Sequence, residues 1–326
     1  MIVNRFADIT YRQTTALLAA SFRRLGESVV VAEVASVTAR TRDNTVEFSI
    51  RGIALPPEAT ISQQVADLFV APANDAPEVF ALSAEDVVLI RTNPGRDSAR
   101  HSLHGTFLEL MMIAEESGVN VVNRPANLLR FASKSSLLML DRKYRPEMLV
   151  SSDADEVIDF VQAAPSDCIV KPLLGSRGEN VLRVSKESPD LAMLITETFG
   201  NMQVVAQHFF DANHPGDRRV VVLDGQILES AGGIAGIERH PAAGDFRANL
   251  HAGGSAHPLS LPTGERESAT AAAQLLADHG IRLAGVDMIG DKIIEFNVFS
   301  TGGLYDGNRF AGTDFSETIV RQLLHS

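Results

Sequence analysis

The stretch Gly285-Val-Asp-Met-Ile-Gly-Asp-Lys-Ile-Ile-Glu-Phe-Asn-Val-Phe-Ser-Thr-Gly-Gly303 carries the strongest structural signal in the sequence. Two apolar runs are separated by a Gly-Asp pair, which predicts a β-hairpin. Because side chains alternate between the two faces of a strand, Glu295 and Asn297 share one face. Folding back across the turn brings Asp287 opposite Glu295. The hairpin therefore predicts three oxygen-bearing side chains close together.

These three side chains favour a metal site. An unpaired carboxylate in apolar surroundings is costly, or its pKa shifts until the group is neutral. A hard cation removes that cost, and Mg²⁺ prefers oxygen ligands and often binds together with substrate phosphates. The alternative, a surface hairpin with solvated acids, is disfavoured because Ile294 and Phe296 flank Glu295. We therefore expect a nucleotide–metal site.

The bulk properties restrict the class of protein. The chain has 326 residues, which predicts two or three sub-domains, and a net charge of −12, which argues against nucleic acid or an anionic membrane as the main partner. No segment has the roughly 20 apolar residues of a membrane span, and no signal peptide is visible at the start. The single cysteine, Cys168, excludes an intrachain disulfide and is expected to be a buried small residue. A cytoplasmic location is predicted.

The order of apolar and amphipathic segments predicts an α/β protein. In residues 1–122, strands alternate with helices, as in an open sheet with helices on its faces. Strands are predicted at 2–3, 28–34, 87–90, 119–122, 168–171, 180–184, 202–206, 219–223 and 226–230, and helices at 14–25, 103–116, 153–163, 191–199, 265–279 and 314–324. Segment 232–254 contains seven glycines or prolines and no useful period. Such long loops are functional lids or disordered segments.

Several charged residues are ambiguous when each is considered alone. The string from Lys171 to Gly178 ends in a glycine turn whose amides can approach phosphate oxygens, but a solvated hairpin explains it as well. Asp217, Arg218 and Arg219 fit charges at the entrance of a strand. Arg239 and Arg247 could clamp a carboxylate or phosphate, or be ordinary surface charges. Neither a Gly-x-Ser-x-Gly elbow nor a Cys/His pair is present, so covalent catalysis has no candidate nucleophile.

Taken in order, the motifs resemble the ATP-grasp ligases, and among them most closely the bacterial glutathione synthetases. The resemblance covers nearly the whole chain and rests on Lys134, 171–175, 216–220, 247–250, 285–291 and 295–298, with Arg91 to Asp97 as the matching amino-terminal motif. It implies an α/β ATP-grasp fold (formally α+β). It also implies an amino-terminal open parallel sheet domain (1–122), central and carboxy-terminal ATP-grasp subdomains (123–206 and 207–326), and a flexible lid loop at 232–254.

The resemblance also implies roles for individual residues. Lys134 and Lys171 would contact the ATP phosphates, with Lys171 also near the adenine, and Arg219, Arg239 and Arg247 would contact the reacting groups. The remaining positions are as follows: Gly175, Ser176, Arg177 and Gly178 over the triphosphate; Gln207, His208, Phe209 and Phe210 beside the adenine; Asp217 near the ribose; Asp287, Glu295 and Asn297 at Mg²⁺, with Mn²⁺ also possible; and Arg91, Asn249, Asn297, Ser300, Thr301, Gly302 and Gly303 at the substrate.

The implied reaction joins a carboxylate to an amine at the expense of ATP, through an acylphosphate. The first expectation for the substrates is γ-glutamylcysteine and glycine, so the enzyme would act on small molecules. It is also expected to form a homodimer or homotetramer. Three departures leave the substrates open: Thr301 to Gly303 replace a Ser-Pro-Thr pattern, Arg177 replaces a smaller residue, and 219–239 is longer. The alternatives are a ligase for another amino acid or peptide, a ligase for a protein terminus, and a non-catalytic ATP-binding regulator.

Overall fold

The structure is a computed structural model that describes residues 1–70, 76–175, 180–210, 216–242, 248, 250 and 253–325. Its strands form three main sheets, each in its own part of the chain. The three-part division at 122 and 206 remains a prediction. The strand Val204–His208 continues two residues beyond the second predicted boundary.

The first part, up to Val122, contains the parallel strands that the sequence predicts. Strand β1 pairs in parallel with β2, β5 pairs in parallel with β6, and a parallel bridge joins Ile2 to Ile90. The elements are β1 (Ile2–Val3), α1 (Thr14–Arg24), β2 (Val30–Arg42), β3 (Thr45–Ala54), α2 (Ser62–Val70), β4 (Glu78–Leu82), β5 (Val87–Leu89), α3 (His101–Glu116) and β6 (Asn120–Val122).

A long hairpin extends this sheet in an antiparallel manner, which the sequence analysis did not identify. Strands β2 and β3 pair in antiparallel fashion, and β4 pairs with β3. Asp43 and Asn44 between them both have positive φ, at 48° and 66°, as a two-residue hairpin turn requires. Most side chains near the turn are exposed, so few apolar residues revealed the strands.

The second part forms a four-stranded sheet in the order β7–β10–β8–β9. Its elements are α4 (Pro125–Arg130), a 3₁₀ helix (Lys134–Met139), β7 (Met148–Ser151), α5 (Ala154–Ala163), β8 (Cys168–Pro172), β9 (Leu182–Val184), α6 (Leu191–Phe199) and β10 (Val204–His208). Cys168 is fully buried as a free thiol, as expected, and burial raises its pKa to about 11.

The third part forms a sheet in the order β16–β15–β11–β17–β18, with β12 also paired to β11. Its elements are β11 (Asp217–Leu223), β12 (Gln226–Ile227), β13 (Glu229–Ser230), β14 (Gly233–Ile234), β15 (Gly236–His240), β16 (Ser255–His257), α7 (Thr263–Asp278), β17 (Leu283–Ile289), β18 (Lys292–Asn297), α8 (Leu304–Ala311) and α9 (Phe315–Leu324). Ile2, Phe107, Val286 and Phe296 belong to one continuous core, which joins this sheet to the first.

The prediction of a loop at 232–254 is wrong for its first nine residues, since most of 232–240 lies in β14 and β15. The glycines there indicate close backbone approach: a Cβ on Gly236 would lie 2.1 Å from the carbonyl oxygen of Arg219. The lid prediction therefore now concerns 241–254 alone, most of which lies outside the described residues. None of the described helices is long and apolar enough to cross a membrane.

Candidate active site

The β17–β18 hairpin has the predicted register. Asp287 and Glu295 are direct partners across the two strands, and a bulge follows Asp287. Asp287 is 2% exposed, which contradicts the alternative of a solvated surface hairpin. Because β17 also pairs with β11, Asp287 lies beside Arg219 on the neighbouring strand. The hairpin therefore presents one buried carboxylate to a strand that carries arginine.

Four charged side chains form a continuous network on this face of the sheet. Arg219 donates two hydrogen bonds to Asp287, at 2.7 and 2.6 Å, and Arg239 donates a third at 2.9 Å. Arg239 also forms a two-point pair with Asp217, at 2.6 and 2.7 Å. The two guanidinium groups outweigh burial and hold the pKa of Asp287 well below its usual range, whereas burial raises the pKa of Asp217 to about 6. The network thus keeps Asp287 ionised.

Both predicted phosphate-binding lysines lie near the hairpin. Lys134 donates to the carbonyl oxygen of Gly175 at 3.1 Å, and its Nζ lies 3.6 Å from Glu295. The ammonium of Lys171 interacts with the charges of Glu295, Asp287 and Lys134, and burial lowers its pKa to about 8. Residues far apart in the chain thus bring two cations to two opposed carboxylates.

The hairpin side chains fit a hard divalent cation. Among the described residues, no three His, Cys, Asp or Glu side chains form a metal-binding group. The candidate donors that the hairpin offers are Asp287, Glu295 and the amide oxygen of Asn297. A carboxylate has about four lone-pair sites, and three of those on Asp287 accept from arginine. One lone-pair site on Asp287 therefore remains for a metal ion. Two carboxylates completed by nucleotide phosphate oxygens and water are what Mg²⁺ sites commonly offer.

Two side-chain amides near the site each have a buried nitrogen with no hydrogen-bond partner in the part of the chain that the structure describes. Gln207 on β10 is 3% exposed, and neither its Nε2 nor the Nδ2 of Asn297 has a hydrogen-bond partner among the described residues. An unsatisfied buried donor costs free energy and often marks the place of a ligand. Both amides therefore favour a bound polar molecule.

The other residues predicted beside the adenine, His208 to Phe210, follow Gln207 at the end of β10. The ring of His208 lies 5.1 Å from that of Phe160, and the Phe209 amide donates to the Asp167 carbonyl at 2.7 Å. Arg183 stacks 4.1 Å from the Phe209 ring centroid. Phe210 is exposed, at 39%. His208 and Phe209 thus contact residues of the second part of the chain.

The predicted substrate residues meet at the junction of the first and third parts. Arg91 is 5% exposed and donates to the Thr301 carbonyl oxygen at 3.0 Å, and burial lowers its pKa to about 10. A Cβ on Gly302 would lie 3.6 Å from Nη1 of Arg219, and Gly303, at φ 91°, is the N-cap residue directly before helix α8. Ser300 is half-buried beside them. These positions adjoin the arginine network.

Some predicted residues need correction or lie outside the described chain. Arg239 was predicted in a loop but lies on β15, because its strand pairs with β11. Ser176, Arg177, Gly178, Arg247 and Asn249 lie outside the described residues.

Sequence reasoning missed two features that support the site. No role was predicted for Asn123, yet its buried side chain bridges to residues 282, 283 and 298. Arg218 was grouped with its neighbours, although strand alternation places it on the opposite face from Arg219. A polar residue directly after a buried strand was the available signal for Asn123.

Comparison with protein families agrees with this geometry. The model for the ATP-grasp domain of prokaryotic glutathione synthetase matches residues 136–312, and the model for the N-terminal domain of the same enzymes matches residues 1–129. The chain belongs to the prokaryotic glutathione synthetase family. It is therefore an ATP-dependent, ADP-forming carboxylate–amine ligase, and the family uses ATP with divalent metal ions.

Individual relatives support this assignment. The glutathione synthetase of Parasynechococcus marenigrum is 33% identical over 251 residues, which is 76% of this chain and 78% of that protein. The glutathione synthetase of Shewanella oneidensis is 35% identical over 230 residues, 70% of this chain and 68% of the relative.

Solved structures show the same fold at low identity. The ATP-grasp ligase PsnB in complex with a minimal precursor aligns with a TM-score of 0.62 at 17% identity, over 99% of this chain and 97% of that one. The D-cycloserine synthetase DcsG aligns with a TM-score of 0.60 at 17% identity, over 99% of this chain and 98% of that one. This synthetase-family chain therefore has the ATP-grasp fold that its motifs implied.

Proposed function

We propose that this ligase joins the cysteinyl carboxylate of γ-glutamylcysteine to the amine of glycine, using MgATP. The observation that carries the proposal is the convergence of Arg219, Arg239, Lys134 and Lys171 on two opposed carboxylates, Asp287 and Glu295. Relatives at 33–35% identity that are named glutathione synthetase support the choice of substrates.

In the first step, a donor carboxylate oxygen attacks the γ-phosphorus of ATP, and the bond to ADP breaks. Charge spreads over the transferring phosphoryl oxygens, so fixed cations around them lower the barrier. Lys134 and Lys171 supply point charges. Nη1 of Arg219 lies near Gly302 and is not used in its pair with Asp287. It is available to donate to the phosphoryl group. A divalent cation held by Asp287, Glu295 and Asn297 would neutralise phosphate charge.

In the second step, the amine attacks the acyl carbon, loses a proton and expels inorganic phosphate. Water would hydrolyse the acylphosphate, so exclusion of water is required. We assign that role to segment 241–254, the remaining part of the predicted lid. We place the donor and acceptor near Arg91, Asn249 and the 300–303 segment, and the adenine and ribose near residues 207–210 and Asp217.

A second candidate acceptor is an amine larger than glycine. Gly302 and Gly303 place no side chain of their own against Arg219, where a Cβ would lie 3.6 Å from Nη1 and 3.7 Å from Cδ, respectively. An amine larger than glycine would fit if the acceptor binds in this space beside Arg219. The size of the amine that the enzyme accepts is therefore the property to test.

The test is ADP release, with mass detection of the amide, over a panel of acids and amines. We expect the fastest turnover with γ-glutamylcysteine and glycine. Glu295→Gln should lower turnover at least about 100-fold because the proposed Mg²⁺ loses a carboxylate ligand. Asp291→Asn, at the exposed hairpin turn, is the matched control. ATP binding without amide formation for any pair would instead support a regulatory protein.

A further inference from the structure

A second charged cluster lies on the opposite face of the same strands. Arg218 is 4% exposed, and its Nη1 lies 3.0 Å from the carboxylate of Glu265, which is 5% exposed on the first turn of α7. Its Nε lies 3.3 Å from Glu238 on β15. Arg218 therefore connects β11 to both its neighbouring strand and the helix that covers this face.

The contacts continue toward the outer strand of the sheet. The second oxygen of Glu238 lies 2.8 Å from Nε2 of His240, whose ring stacks on His257 of β16 at 4.1 Å. The cluster thus spans α7, β11, β15 and β16. None of its members touches Asp217, Arg219 or Asp287 in the contacts seen among the described residues.

A contribution to the stability of the fold does not by itself account for this charged cluster. Burying a guanidinium with two carboxylates carries a large desolvation cost, and apolar side chains of similar volume often do as well or better. Buried ionic groups are best attested as devices that select one register. The cluster therefore points to a requirement for a unique alignment of the strands.

Strand β15 has little apolar sequence to fix its pairing with β11. It reads Gly-Ile-Glu-Arg-His, and its one large apolar side chain, Ile237, specifies the register only weakly. In the register of β11 with β15, Arg218 lies opposite Glu238. The cross-strand pairs on either side of it are Asp217 with Arg239 and Arg219 with Ile237. A slip of one residue would turn Arg239 away from Asp287 and turn Glu238 toward two carboxylates.

We propose that Arg218 is a positioning residue: with Glu238 and Glu265 it fixes the register of β15 against β11 and thereby holds Arg239 on the active face. The inference concerns the ligase reaction with any acid and amine. It does not depend on γ-glutamylcysteine and glycine being the substrates.

The first test compares Arg218→Met and Arg218→Lys with Arg266→Met as a matched control. Arg266 lies on the same helix as Glu265, and its pair with Glu229 is exposed. We expect kcat for ADP formation to fall about 100-fold in Arg218→Met, the scale of an ångström-sized misplacement. Arg218→Lys should recover part of that loss, and Arg266→Met should change kcat less than about twofold.

A double variant shows whether Arg218 acts through Arg239. On an Arg239→Met background, adding Arg218→Met should lower kcat by less than about twofold more, because residues that act as a unit are not additive. Multiplying effects, or unchanged kcat in a folded Arg218→Met protein, would overturn the proposal.

A second readout needs no substrate and so separates this inference from the proposed function. The Nε–H of Arg239, which donates to Asp217, should give a slowly exchanging NMR resonance, assigned by its loss in Arg239→Lys. We expect rapid exchange in Arg218→Met and no change in Arg266→Met. If Arg218→Met does not fold, Glu238→Gln should show the same loss. An unchanged Arg239 resonance in either folded variant contradicts the proposal.

Discussion

Asp287 depends on its two arginine partners more than on any other contact. In Asp287→Asn, the largely buried guanidinium of Arg219 loses its counter-charge, while Arg239 keeps Asp217, and breaking a buried pair costs about 3–5 kcal/mol of unfolding free energy. Ligase turnover should also fall at least about 100-fold, because Arg219 and Arg239 lose their orientation. Urea denaturation and ADP release measure the two effects. Asp291→Asn should change neither, and a stable, active Asp287→Asn protein would contradict the network's role.

Because the pKa of Lys171 is lowered, we expect ATP binding to weaken at alkaline pH. Burial lowers its pKa from 10.5 to about 8, so the ammonium loses its charge as pH rises through 8. Between these pKa values the unfolded chain binds more protons, so Lys171 makes the unfolding free energy rise with pH. Phosphate binding needs the charged form, so kcat/KM for ATP should fall above pH 8. Lys171→Arg stays charged and should lack that fall; an identical pH profile in both proteins argues against the assignment.

At the scale of residues, the sequence predicted the acids better than their partners. The alternation rule placed Asp287 opposite Glu295, and that register is confirmed. It could not show that Asp287 pairs with Arg219 and Arg239, because those residues lie on strands 68 and 48 positions earlier in the chain. The order of strands in a sheet is set by packing, and local periodicity does not contain it.

Strand β15 shows how glycine can mark a strand as well as a loop. Gly236→Ala would place a methyl group 2.1 Å from the carbonyl oxygen of Arg219 at a φ of 137°. We expect a loss of about 3 kcal/mol in unfolding free energy, from backbone strain and displaced pairing. Ligase turnover should fall with it, because Arg239 moves away from Asp217.

Gly264→Ala is the control for this prediction, measured by the same urea denaturation and ADP-release assays. Gly264 lies in α7 with no atom within 4 Å of an added Cβ, so the change should be neutral or stabilising by about 1 kcal/mol. Equal effects of the two substitutions would mean that close approach of β15 to β11 is unimportant.

The composition of residues 233–240 explains why β14 and β15 were not predicted as strands. Helices such as α1 and α6 have clear apolar periodicity and were predicted within one residue at either end. Residues 233–240 combine glycines with charged side chains, and this composition is typical of loops. The glycines are required because two backbones approach closely, a tertiary property that a sequence window does not reveal.

At the scale of the whole molecule, Asn123 connects the end of β6 to the β17–β18 hairpin. Its Nδ2 donates to the carbonyls of Leu283 and Val298 at 2.8 Å, and its Oδ1 accepts from the amides of Arg282 and Leu283. Asn123→Ala leaves buried backbone groups unpaired, which costs about 3 kcal/mol. Thermal denaturation measures the loss. Exposed Asn201→Ala should leave stability unchanged, and equal stability of the two variants would exclude a structural role for Asn123.

The reaction path is tested most directly by the fate of the donor oxygen atoms. The donor acid, γ-glutamylcysteine first, is labelled with ¹⁸O in both oxygens of the reacting carboxylate and turned over with ATP, Mg²⁺ and glycine. An acylphosphate path requires one ¹⁸O in each inorganic phosphate and one in each amide carbonyl, read by ³¹P NMR and mass spectrometry. Formation of ADP and amide with unlabelled phosphate would contradict the account.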